Sequence, residues 1–356
     1  MKRLAAVLLL GLVALSCSKG SATEEVEYKK ELSFSGYTAR SVTKASGTEP
    51  GTKANGSFVS GSALPSGTAF GVYAYNTGSA TFTAGNTYPV FMGNVPVTYD
   101  GVSSTAPSSY SYSPLRYWPN EEDSNKLTFF AYYPHNGAGF TPAGFGSFVF
   151  TVQDSPENQV DLMLSDVVAN KTYHNTNSSA GVINLSFYHM LTQVRFKGIT
   201  NLPAGATVKV TSLQITNIIN KATITPAVSA TESTITPTTS SKASYTITSG
   251  EVTLPSSTVP NAEAADLAVY TSGVANKTLL MIPQTIPADA KLIVSYTITT
   301  TVPARTFSDT QQIDFNTAIA AWSRNQQIVY TLTIGNAIEF SASVDDWGVS
   351  DIPIRY

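Results

Sequence analysis

The sequence predicts an all-β protein made of two β-sandwich domains in tandem. Strand-forming residues, among them 18 Tyr and 16 Phe, are frequent, while 24 Gly and 19 Pro punctuate the chain. The runs between these breaks are short and alternate apolar with polar residues, the period of two that is typical of strands. A length of 356 residues fits two domains, because single domains hold on the order of 100–200 residues.

The first residues of the chain predict a bacterial lipoprotein signal. A short basic start, Met1 to Arg3, precedes an apolar run over residues 4–15 and then Cys17, the only cysteine. This run is shorter than the roughly 20 residues that a membrane-spanning helix needs. We therefore predict a signal peptide over residues 1–16 and a lipid on Cys17 that attaches the exported chain to the membrane. An ordinary secretory signal is the alternative.

Short apolar runs predict the strands of the first half. The predicted ranges are 32–39, 70–75, 90–99, 115–118, 126–133, 148–152 and 161–164. Range 126–133 is apolar at nearly every position, which indicates a central strand buried on both faces. The polar, turn-rich segment 170–181 follows, and we place the domain boundary there, between residues 175 and 176.

The second half opens with its longest apolar run, residues 182–197, in which the apolar face changes sides partway. A bulge near His189, or burial of both faces at the start, would explain the change. Further strands are predicted at 207–215, 244–247, 267–271, 279–282 and 291–298, and a closing hairpin pairs 328–334 with 338–344. Residues 308–321 are the one stretch that could form a helix of any length.

Composition and motifs argue against several classes of function. A net charge of −3 and 13% charged residues leave no basic field for nucleic acid. None of the three histidines has metal-ligand spacing, and His189, inside a predicted strand, is interpreted as a structural histidine. The acidic residues at 121–123 and 345–346 are sequence neighbours and do not form a facing catalytic pair. We expect no enzymatic activity and no cofactor.

An aromatic segment, residues 108–118, supports an alternative function. Its Tyr110, Tyr112 and Trp118 have flat faces of the kind that stack on sugar rings. The alternative is a lipid-anchored surface glycan-binding protein.

Several segments in order resemble the fimbrillin family. They are residues 116–119 (RYWP), 127–134 (LTFFAYYP), 161–164 (DLML), 185–194 (LSFYHMLTQV), and 338–344 (IEFSASV) with Trp347. The resemblance implies two tandem transthyretin-like Greek-key β-sandwiches. It implies a type V pilus subunit serving adhesion, made as an outer-membrane lipoprotein precursor and later part of the cell-surface fimbrium. The implied partners are other pilus subunits and a host or bacterial surface ligand.

The resemblance also implies proteolytic maturation. In that family an outer-membrane trypsin-like protease cuts after an arginine near the first strand, and Arg40, followed by Ser41, holds that place here. Cleavage would remove residues 17–40, the lipidated leader with the first strand, and leave sandwiches over 41–175 and 176–356. Lys44 and Lys53 are alternative cleavage sites for a less specific protease. A further alternative is an anchor subunit that is not cleaved.

Donor-strand exchange, in which a strand of another subunit fills the vacated groove, completes the implied assembly. Two C-terminal segments are candidates for the donor strand. One is the last hairpin strand, with Ile338, Phe340 and Val344; the other is the tail, with Ile352, Ile354 and Tyr356. Pro353 would interrupt a ladder of hydrogen bonds in a central position. Stalk, tip and anchor positions all stay open.

Overall fold

The computed structural model describes residues 30–38, 64, 66–103, 106–119, 125–179, 181–227, 233–269 and 278–347. Regular structure within these ranges is strand, apart from two short 3-10 helices, Pro156–Asn158 and Phe315–Thr317. The all-β prediction is confirmed. None of the helices in the described part of the chain is long and apolar enough to cross a membrane.

Nine strands precede residue 190 in the described part of the chain. They are β1 (Ser33–Thr38), β2 (Ala69–Gly78), β3 (Val90–Ser103), β4 (Ala106–Ser111), β5 (Lys126–Tyr133), β6 (Phe148–Thr151), β7 (Met163–Ser165), β8 (Val168–Lys171) and β9 (Val182–His189). All except β6 form one eight-stranded sheet in the order β1-β9-β7-β5-β2-β3-β4, with β8 also pairing with β5. Most neighbours are antiparallel, but β1 runs parallel to β9.

The remaining strands form the second half. They are β10 (Thr192–Thr200), β11 (Ala206–Ile219), β12 (Lys221–Thr225), β13 (Thr234–Pro237), β14 (Lys242–Thr248), β15 (Val252–Thr253), β16 (Ala265–Asp266), β17 (Leu279–Met281), β18 (Lys291–Thr301), β19 (Ala304–Asp314), β20 (Gln326–Ile334) and β21 (Ile338–Asp346). One five-stranded sheet contains β16-β10-β20-β21 with β17, and another contains β14-β11-β18-β19 with β15. Inward residues of both sheets share one core, so the sheets face each other as a sandwich.

Strand β5 is buried on both faces, as its sequence predicts. Phe129 and Ala131 lie in the core of the first sheet, whereas Phe130 and Tyr132 join the large core that includes the second-half sandwich. A small sheet, β13-β12-β6, also pairs a first-half strand with second-half strands. The two halves therefore share apolar packing.

The change of face within residues 182–197 has a different cause from the predicted bulge. The run is two strands, β9 and β10, which belong to different sheets. Ile183 and Phe187 point into the first core, and Val194 and Phe196 point into the second. Sheet membership thus changes after His189, beyond the boundary drawn between residues 175 and 176. The division into two domains stays a prediction.

Three local predictions are wrong. Within the predicted strand 267–271, the described residues 267–269 form no strand and contribute one isolated bridge, between Thr248 and Val269. Residues 115–118 form a single bridge, between Glu31 and Tyr117, and no strand. Residues 308–321 begin as β19, which pairs with β18 along its whole length, and the 3-10 helix Phe315–Thr317 follows. In residues 308–321, pairing with β18 overrides the weak local preference for a helix. The predicted hairpin at the end of the chain is confirmed as β20 and β21.

Candidate functional site

Strand β1 lies at one end of the first sheet, and the strand and the residue before it insert two large side chains into the core of that sheet. Leu32, just before the strand, is 0% exposed and Phe34 is 5% exposed. The Phe34 ring makes edge contacts with the rings of Tyr112 and Phe129, and the ring centroids lie 5.5 Å and 6.0 Å apart. Gly36 is the next inward position and is also buried. This alternation is the period of two that the sequence shows from Leu32 onward.

One side of β1 pairs with β9. The register runs without a shift from Ser33 opposite Val182 to Thr38 opposite Phe187. At the start of the ladder the Ser33 amide donates to the Gly181 carbonyl at 3.1 Å. The Ser35 hydroxyl, on the outer face, donates to the Asn184 side chain at 2.9 Å.

The other side of β1 contacts residues 110–118 of the aromatic segment. The Leu32 amide donates to the Arg116 carbonyl at 2.9 Å, and the Trp118 amide donates to the Lys30 carbonyl at 2.9 Å. The Tyr112 hydroxyl donates to the Leu32 carbonyl at 2.6 Å. The first strand is therefore held on both sides, although it is an end strand of its sheet.

Tyr110 makes the corresponding contact farther along β1, where its hydroxyl donates to the Gly36 carbonyl. Burial raises the pKa of Tyr110 to about 12, and burial also raises the pKa of Tyr112. Both phenols are therefore neutral donors at physiological pH. We call the space that β1 fills, between β9 and residues 110–118, the first-strand groove.

The three aromatic residues named for sugar stacking take part in this groove or its core. Trp118 is 6% exposed, contacts Phe129 edge-on, and donates from Nε1 to the Gly181 carbonyl at 3.2 Å. The hydroxyls of Tyr110 and Tyr112 bind carbonyls of the first strand. Sequence reasoning identified these residues as a cluster but missed that they contact β1, because that contact joins distant parts of the chain.

Several predicted site residues lie outside the described residues. They are Cys17, Arg40, Ser41, Ile352, Ile354 and Tyr356. Strand β1 ends at Thr38, two residues before Arg40 in the sequence.

The other donor-strand candidates lie on β21, an end strand that pairs with β20. Ile338 and Phe340 are partly buried against the second core, and Phe340 stacks on Tyr330 with ring centroids 5.1 Å apart. Val344 is 44% exposed. The inward face of β21 is thus less covered than that of β1.

A buried cluster that sequence reasoning missed joins the end of β21 to the end of β9. The ring of Trp347 stacks on His189 at 4.0 Å with the planes 11° apart. Nδ1 of His189 lies 2.9 Å from a carboxylate oxygen of Asp161. His189 is therefore a structural histidine with a buried partner. No group of three or more metal-ligating side chains occurs among the residues the structure describes.

Comparison with known proteins places the chain in a family. The model of the family described as "Fimbrillin-like" matches residues 52–347. The chain is 31% identical over 184 residues to fimbrium subunit Fim1C of Phocaeicola vulgatus, a match that covers 45% of this chain and 46% of that protein. A crystal structure of a fimbrial protein from Bacteroides vulgatus superimposes with a TM-score of 0.55 at 22% identity, covering 89% of this chain and 99% of the other. Since the family model spans most of the sequence, the chain belongs to the fimbrillin-like family.

Proposed function

We propose that this protein is a structural subunit, in the stalk or at the tip, of a type V pilus that serves adhesion. It is exported as a lipoprotein with the lipid on Cys17 and is held at the outer membrane. Cleavage after Arg40 then removes the leader and the first strand. Strand exchange between subunits builds the fimbrium at the cell surface, and no step requires catalysis by this chain or a cofactor.

The observation that carries the proposal is the position of β1. It fills a groove bounded on both sides, and its Phe34 and the preceding Leu32 are part of the core of the first sheet. Arg40 follows the strand by two residues, and Cys17 precedes it. One cut at Arg40 would therefore separate the lipid and the strand together from the rest of the chain.

Loss of β1 would make the cut subunit bind another strand strongly. Full burial of a Leu or Phe side chain contributes about 1.5–3 kcal/mol, so the places of Leu32 and Phe34 would expose a considerable apolar surface. The unpaired edge of β9 would add free backbone donors and acceptors, which favour strand addition. A donor strand from a second subunit would cover the exposed apolar surface and would pair with the free edge of β9.

Limited proteolysis tests the proposal. Full-length protein carrying Cys17→Ser, which avoids the lipid, is treated with an arginine-specific protease and followed by size-exclusion chromatography and N-terminal sequencing. We expect the wild-type site to give a ladder of oligomers whose subunits begin at Ser41. Arg40→Gln, the matched control, should stay monomeric under the same conditions.

Two outcomes would overturn the proposal. One is a protein cut at Arg40 that stays monomeric at high concentration. The other is native fimbriae whose subunits still begin at Cys17. Native fimbriae whose subunits begin after Lys44 or Lys53 would move the cleavage site but keep the assembly step.

A further inference from the structure

The first-strand groove narrows sharply at its third inward position. A Cβ atom built on Gly36 would lie 3.3 Å from Cε2 of Phe187, 3.6 Å from Phe70 and 3.7 Å from the Tyr110 hydroxyl. Both phenylalanines are fully buried, and their rings lie 5.1 Å apart, so this wall has little freedom to move. A methyl group fits with a small adjustment, and a larger side chain does not.

The groove also favours one direction for the strand that fills it. Pairing with β9 is parallel, and the hydroxyls of Tyr112 and Tyr110 bind the carbonyls of Leu32 and Gly36, four residues apart. Parallel and antiparallel ladders place their hydrogen bonds differently. A strand that runs parallel to β9 reproduces all of these contacts.

We infer that the first-strand groove selects its occupant by size at the Gly36 position. The occupant is a strand parallel to β9 with a large apolar residue, a second large residue and then Gly or Ala at alternate positions. This inference rests on the proposed function and names the donor segment of a second copy of this chain. Residues 338–342 satisfy the rule, whereas residues 352–356 break it.

The two candidate segments differ at decisive positions. The native occupant reads LSFSG over residues 32–36, and residues 338–342 read IEFSA, with the same Phe and Ser and with Ala342 at the small position. The tail reads IPIRY over residues 352–356, which puts Tyr356 at the small position. It also puts Pro353 in the place of Ser33, whose amide donates to Gly181, and proline has no amide hydrogen to donate.

Grafting the two segments into the uncut full-length chain tests the rule. Leu32→Ile, Ser33→Glu and Gly36→Ala together create the 338–342 sequence in the groove. Leu32→Ile, Ser33→Pro, Phe34→Ile, Ser35→Arg and Gly36→Tyr create the tail sequence. We expect the first graft to melt within about 3 °C of wild type, and the second to melt more than about 6 °C lower, with faster amide exchange in β9.

Single substitutions isolate the size effect from the rest of the graft. Gly36→Val should accelerate amide exchange in β9 at least tenfold, whereas Ser35→Val, a matched change on the outer face, should alter it by less than about threefold. Equal melting temperatures for the two grafts, or equal exchange for the two valine variants, would overturn the inference.

These measurements need neither cleavage nor assembly, so their failure is separate from failure of the proposed function. The donor itself is tested in the cleavage assay with folded monomers, as judged by circular dichroism. Ala342→Tyr should abolish the oligomer ladder and Tyr356→Ala should keep it. The reverse pattern would identify the tail as the donor and contradict the inference.

Discussion

The strands β1 and β21 carry nearly the same five-residue pattern but are held very differently. Phe34 on β1 is 5% exposed, in a strand with partners on both sides. Phe340 on β21 is partly buried, in an end strand paired with β20. The comparison teaches that an alternating pattern determines which side chains point inward, while the neighbouring elements determine how much each one stabilises the fold.

The largest expected difference between the two strands comes from removing their phenylalanine rings. Phe34→Ala should lower the free energy of unfolding by about 3–5 kcal/mol, the usual cost of such a cavity in a closed core. Phe340→Ala should cost about half as much, because its ring is only partly covered. Urea unfolding of both variants measures the difference. Equal losses would show that β1 and β21 are held alike.

The end of β21 provides a second, smaller test. Trp347 is 3% exposed and stacks on His189. It therefore connects the end of β21 to the end of β9, where the chain passes from one sheet to another. Trp347→Leu should lower the free energy of unfolding by about 2 kcal/mol, since it removes the stacked pair and leaves a cavity. Val344→Ala, at an exposed position of the same strand, is the control and should cost less than about 0.5 kcal/mol. A larger loss from Val344→Ala than from Trp347→Leu would contradict this role.

The smallest expected effect concerns the hydroxyl that holds β1. Tyr110→Phe removes a hydrogen bond to the Gly36 carbonyl and should cost about 1 kcal/mol near neutral pH. The pKa of Tyr110 is raised from 10.0 to about 12 by burial in the folded state. Between pH 10 and about pH 12, the Tyr110 hydroxyl loses its proton in the unfolded chain but keeps it in the folded chain. This stabilisation is therefore complete below pH 10 and is lost as the pH rises through about 12.

Unfolding of wild type and Tyr110→Phe at several pH values from 8 to 11.5 measures this contribution. Other buried tyrosines also have raised pKa values, and they lower the stability of both proteins above pH 10. Wild type should lose stability more steeply than the variant, because only wild type contains the Tyr110 hydroxyl with its raised pKa. Equal slopes of stability against pH for the two proteins would mean that ionisation of the Tyr110 hydroxyl does not weaken the packing of β1 in its groove. Ser35→Ala, which removes a hydrogen bond on the outer face of the same strand, should leave the slope unchanged.

Much of the strand content was predictable because it depends on local pattern. Strand β5 and the final hairpin could be predicted directly, because the residue types in these runs indicate which side chains face a core. Residues 182–197 show where this reasoning fails. The apolar face does change there, but the pattern could not distinguish a bulge from a chain that leaves one sheet at His189 and enters another at Thr192.

The candidate site was predictable only in its parts. Sequence reasoning identified the alternating run from Leu32, the aromatic segment 108–118 and the alternation at 338–344 separately. It gave sugar binding by the tyrosines and Trp118 only as an alternative function, and it could not decide the point because aromatic residues in a sequence do not reveal which face is covered. The contacts of the two tyrosine hydroxyls with Leu32 and Gly36 join residues 80 and 74 positions apart in the chain, and no local pattern indicates a contact at that distance.

The sequence by itself determined the strand class, the inward faces of the strands and membership of the fimbrillin-like family, because each depends on residue type and spacing along the chain. Tertiary structure decided that β1 runs parallel to β9, that two tyrosine hydroxyls hold it from the other side, and that Gly36 faces two buried phenylalanine rings. The physical reason is that pairing partners and available volume are properties of segments brought together by folding.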